Sequence, residues 1–65
     1  MKLQAICRLI PMLDRVVISD NQYNTIFDGN IFTLINSDLY KSIKCKHIKY
    51  VTGFQNALHV TLEEV

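Results

Sequence analysis

Tryptophan is absent from this 65-residue chain, glycine and cysteine occur twice each, proline once, and neither sign of charge dominates. Each scarcity excludes something. Two cysteines, Cys7 and Cys45, are too few for a disulfide framework. The chain shows no secretory signal pattern, so the expectation is two reduced thiols in a cytoplasmic protein. No apolar run approaches the roughly 20 residues that cross a bilayer; Lys2, Gln4 and Arg8 interrupt Leu3, Ile6, Leu9 and Ile10. A formal charge of +1 exerts no global pull on nucleic acid or an anionic membrane.

What remains is a globular composition, 49% apolar and 20% charged, which is too apolar and too nearly neutral for disorder. Residues 1–65 read as one domain near the lower limit of autonomous folding, where only about 60% of the unfolded chain's surface is buried. Charge is uneven along it. Asp14, Asp20, Asp28 and Asp38 face Arg15 alone, and Lys41, Lys44, Lys46 and Lys49 follow with no acid among them.

Leu3, Ile6, Cys7 and Ile10 fall on one face of a 3.6-residue repeat and predict a short N-terminal helix that stops near Pro11. The β-branched run Val16-Val17-Ile18 predicts a strand over Arg15–Ser19 that is central or covered on both faces. Asp20-Asn21-Gln22 supplies turn chemistry, and a second strand from Tyr23 or Asn24 to Asp28 ends at Gly29-Asn30, making a hairpin. Over 30–43, Asn30 and Ser37 or Asp38 can cap two short helical stretches. The competing reading is a strand from Ile31 to Ile35, because its residues also favour β structure.

Residues 44–52 and 57–63 read as two strands around Gly53-Phe54-Gln55-Asn56. Leu58, Val60 and Leu62 alternate with His59, Thr61 and Glu63, so one face of the last strand is buried. If Ile48 and Tyr50 share that face, paired residue numbers sum to an even number and the loop has three or five residues. His47, Lys49, His59 and Thr61 then share the opposite, polar face. The order α-β-β-α-β-β gives an α+β fold, a small, mostly antiparallel sheet of about four strands with helices on one face. So small a sheet leaves edges, and a homo-oligomer is the expected way to cover them.

Catalytic patterns are missing. Cys7, Cys45, His47 and His59 could ligate zinc chemically, but no paired-ligand spacing joins them, and neither a metal nor a cofactor is expected. No nucleophile sits in a recognisable context, and the aspartates fall where strand ends and turns favour them. The chain therefore reads as a non-enzymatic protein. For phosphate or nucleic-acid binding the candidates are Lys41, Lys44, Lys46 and Lys49 with His47 and Tyr50 interleaved, but Lys44 and Lys46 should share one strand face and Lys49 the other. Tyr23 and Phe54, beside predicted turns, are candidate partner anchors. The candidate binding set is thus Tyr23, Lys44, Lys46, His47, Lys49, Phe54, His59 and Thr61.

Met1-Lys2-Leu3 with its apolar heptad, Val16-Val17-Ile18-Ser19-Asp20, Ile26-Phe27-Asp28-Gly29 and Ala57-Leu58-His59-Val60 resemble short proteins encoded by phages and prophages of Gram-positive bacteria. The resemblance brings no catalytic residues. It implies a protein acting in the host cytoplasm that engages and inhibits a host protein, as anti-CRISPR and other anti-defence proteins do. Two alternatives stand beside it. One is an oligomeric sponge for a small phosphorylated nucleotide signal, with Lys44, Lys46 or Lys49 at a subunit interface. The other is a nucleic-acid-binding accessory protein.

Overall fold

The computed structural model describes residues 1–63. The elements run α1 (Leu3–Cys7), β1 (Arg15–Ser19), β2 (Thr25–Asn30), α2 (Ile31–Ile35), α3 (Asp38–Ile43), β3 (Ile48–Phe54) and β4 (Ala57–Leu62). Two antiparallel hairpins, β1–β2 and β3–β4, join through a parallel β1–β4 pair, giving the strand order β2-β1-β4-β3. The expected α+β fold is therefore observed, with an antiparallel sheet interrupted at its centre by one parallel pair.

Local chemistry explains most boundaries. The Asp20 carboxylate accepts from the Gln22 and Asn24 amides at 2.9 and 3.0 Å, closing the first hairpin, and Tyr23 takes a left-handed φ of 66°. The Asn30 side chain accepts from the Thr33 amide at 2.8 Å, capping α2, so residues 31–35 are helix and not strand. The amides of Ile31 and Phe32 donate to the carbonyls of Asp14 and Met12. Ser37 caps α3 through Tyr40.

Leu3, Cys7, Val16, Ile18, Ile31, Leu34, Ile43, Val60 and Leu62 form one buried core, which places all three helices on one face of the sheet. Val16 and Ile18 lie beside Leu58 and Val60 in the parallel pair, so alternation turns Arg15, Val17, Ser19, Ala57, His59 and Thr61 to the other face.

Three expectations are corrected. The second strand does not end at Gly29: Gly29 pairs with Val16, and the Phe27 ring packs where a Cβ would stand, 3.0 Å from its nearest carbon. The strand expected from residue 44 begins at Ile48, so Lys44, Cys45, Lys46 and His47 lie ahead of it; Lys44 and Lys46 share no strand face. The hairpin register is the third. Phe54 pairs with Ala57 around a two-residue turn, and Gln55 and Asn56 both have left-handed φ, 51° and 60°. Tyr50 pairs with Thr61 and Ile48 with Leu62, so Lys49 is an extra, bulged residue. The bulge reverses the face parity, and Tyr50 leaves the core side for the opposite one.

Candidate functional site

Among the described residues no helix lies over that opposite face. Its floor is made of small side chains, Val17, Ala57 and Thr61, all buried. Tyr50, Thr52 and Phe54 join it from β3, because they pair with Thr61, His59 and Ala57. Tyr23 reaches it from the first hairpin turn. The Tyr23 and Tyr50 rings are 6.2 Å apart with planes at 46°, and Phe54 meets His59 edge-on at 6.0 Å. The Lys49 ammonium lies 5.3 Å from the Tyr23 ring centroid. Tyr23, Tyr50 and Phe54 are 57%, 44% and 60% exposed, so these large apolar rings face solvent on a sheet surface.

At the β2 side of this face Arg15 grips Asp28 with two hydrogen bonds, Nε to Oδ1 at 2.9 Å and Nη2 to Oδ2 at 2.8 Å. The guanidinium donors hold the Asp28 carboxyl below the usual carboxylate range and raise Arg15 in turn. Arg15 thus spends its charge within the chain. Lys49 is left as the cation beside the aromatic rings.

The structure brings together five of the eight sequence candidates: Tyr23, Lys49, Phe54, His59 and Thr61. Thr61 lies in the floor at only 5% exposure, so it shapes the face without presenting a hydroxyl to solvent. Lys44, Lys46 and His47 lie elsewhere. Lys44 follows α3, and His47 forms an isolated bridge with Lys2. Lys46 and His47 line a separate cleft of about 320 Å³ with Ser42, Cys45 and Glu63. The expectation that His47 shares a strand face with His59 fails, because His47 precedes β3. Cys45 is exposed there, whereas Cys7 is buried in the core and its thiol is pushed up by desolvation. Among the described residues no three His, Cys, Asp or Glu side chains converge as metal ligands, and no helix is long and apolar enough to cross a membrane.

Sequence reasoning named Tyr50 only as the aromatic among the lysines, and alternation placed it in the core, whereas it pairs with Thr61 on the opposite face. It also missed that Leu9, Met12 and Leu13 of the α1–β1 connection stand exposed, the Met12 carbonyl accepting from the amide of the likewise exposed Phe32. Compared with protein-family models, curated proteins and solved structures, the chain matches none, so the reading of the site rests on its own geometry.

Proposed function

We propose that this protein is a non-enzymatic binding module that engages a protein partner through the bare face of its sheet. One observation carries the reading: Tyr23, Tyr50, Phe54 and His59 gather on the one sheet face that no helix covers. Tyrosine and its aromatic neighbours are the side chains that dominate protein interfaces, because each contributes a large area with few rotatable bonds. The floor of Val17, Ala57 and Thr61 is already buried, so a partner would meet a rigid surface. The resemblance to phage proteins suggests a host protein as that partner and inhibition in the host cytoplasm as the outcome.

A photo-crosslinking residue placed at Thr52, between Tyr50 and Phe54 on the edge strand of this face, tests the reading in host extract. A protein other than this chain captured from Thr52 but not from a control site at Phe32 supports it, provided that Tyr23→Ala and His59→Ala each abolish capture. Equal capture from both sites, or capture indifferent to those variants, counts against it.

A second reading has its own observation. Stacked aromatics on a sheet with a lysine alongside also suit single-stranded nucleic acid. Titration with a short oligothymidylate separates the two, since phosphate contacts must weaken with salt. The sponge alternative has less support, because Lys44 and Lys46 stand apart from Lys49 and the aromatic face.

A further inference from the structure

We infer that a second copy of this chain pairs antiparallel with the outer edge of β3, on a two-fold axis through Thr52, joining the two sheets into one. The two edges of the sheet differ. On β2 only Thr25 and Asp28 of the six residues are exposed, a bulge at Ile26 interrupts the strand opposite Ile18 and Ser19, and the chain passes directly into α2. A short, interrupted and largely covered edge of that kind resists strand addition, whereas the bulge of β3, at Lys49, lies ahead of a regular stretch from Tyr50 to Phe54. β3 has neither proline nor acid, and six of its seven residues are exposed. Its one charge, Lys49, is drawn back over Tyr23 and away from the rim.

Part of the β3 edge is already covered. The Ile48 amide donates to the Met1 carbonyl at 2.8 Å, and Lys2 bridges His47, so the N-terminal residues occupy the edge at 47–48. Among the described residues, what stays open is the stretch from Tyr50 to Phe54. In a two-residue hairpin the residues flanking the turn exchange both backbone bonds, so Phe54, Thr52 and Tyr50 turn their amides and carbonyls toward β4. Val51 and Gly53 therefore turn theirs outward, symmetrically about Thr52.

This arrangement selects one register. Centring on Val51 would require residues 48 and 49 to pair, where Met1 and Lys2 stand in the way. Centring on Gly53 would leave Val51 opposite the turn. Centring on Thr52 sets Val51 opposite Gly53 of the second copy, and both outward residues of each strand are satisfied. Gly53 has no atom within 4 Å of where a Cβ would be, so the facing valine side chain meets open space. On the bare face Tyr50 would stand opposite Phe54 of the second copy, a favourable cross-strand aromatic pair, and would do so twice. No like charges face each other, since Lys49 lies outside the paired stretch.

The inference concerns self-association alone and is independent of the partner reading, because its tests contain only this chain. Sedimentation velocity of the full chain over a wide concentration range should show a reversible monomer–dimer shift. Thr52→Lys, at an exposed position, sets two ammonium groups opposite each other on the axis and should hold the chain monomeric with an unchanged circular dichroism spectrum. In a Cys45→Ser background, Thr52→Cys should cross-link into a dimer on mild oxidation, since facing residues of a non-hydrogen-bonded pair lie about 4.5 Å apart. Val51→Cys in the same background should stay uncross-linked. A wild-type chain that is monomeric throughout overturns the inference, as does cross-linking through Val51 in place of Thr52. If Thr52→Lys unfolds the chain, the cysteine pair decides.

Discussion

The rings of Tyr23 and Tyr50, 6.2 Å apart, tie the first hairpin turn to the bulged strand of the second on the side of the sheet that the helices leave bare. A double-mutant cycle should give a coupling energy of about 0.5–1.5 kcal/mol, as for other aromatic pairs. Tyr23→Ala, Tyr50→Ala and the double variant would be compared by urea denaturation. Strictly additive losses would show that the rings do no more than lie near each other.

Asn30 ends β2 and caps α2 at once. Asn30→Ala should cost about 1 kcal/mol, while Asn30→Asp, which keeps the acceptor for the Thr33 amide, should cost little. Thermal melts of the two variants provide the comparison; similar losses from both would discount the cap.

Gln55 occupies a left-handed conformation that costs an ordinary L residue about 1–2 kcal/mol and that asparagine tolerates far better. Gln55→Asn should therefore raise stability by up to about 1 kcal/mol, and Gln55→Val should lower it. A denaturant midpoint that fails to rise for the asparagine variant would argue against this turn geometry.

Acid should destabilise the fold through two named carboxylates. Asp20 is held below its ordinary value by backbone hydrogen bonds, first from Asn24, and Asp28 by the Arg15 guanidinium. A carboxylate lowered in the folded state contributes stability that is complete above its unfolded pKa and is lost as pH falls through the folded one. Carboxyl-carbon NMR titration should place both midpoints below the value of an unstructured peptide. Asp20→Asn should flatten the dependence of the urea midpoint on pH below the ordinary carboxylate range. Added salt should weaken the exposed Arg15–Asp28 contribution while leaving the Asp20 turn nearly untouched.

Much of the architecture was legible because local chemistry set it. The β-branched run at 16–18 and the capping residues Asn30 and Ser37 stand where their residue types predict, and the alternation over 58–62 sets the two faces, although Thr61 is buried on the second one. The register of the last hairpin was not legible. Ile48 and Tyr50 are two residues apart, and alternation puts such a pair on one face only if the strand is regular. One extra residue at Lys49 undoes that rule, and nothing in the residue types at 48–50 announces it. Gly53 misled in the same way. It reads as a loop residue, yet it lies in β3, and the left-handed positions fall on Gln55 and Asn56. The bare aromatic face depends on the bulge, so it was only half visible: Tyr23, Phe54 and His59 could be singled out, but not the tyrosine that joins them.

The parallel β1–β4 pair also shapes how the chain folds. Each hairpin closes over a short turn, which takes microseconds, but Arg15 must find Ala57 across most of the chain before the centre of the sheet exists. Folding should thus be limited by the meeting of two preformed hairpins. Substitutions along the Val17–His59 seam should slow refolding, whereas changes at the Asp20 turn should chiefly speed unfolding. Stopped-flow chevrons of the two classes would show the slow step to be a collision between halves, with turn closure already complete.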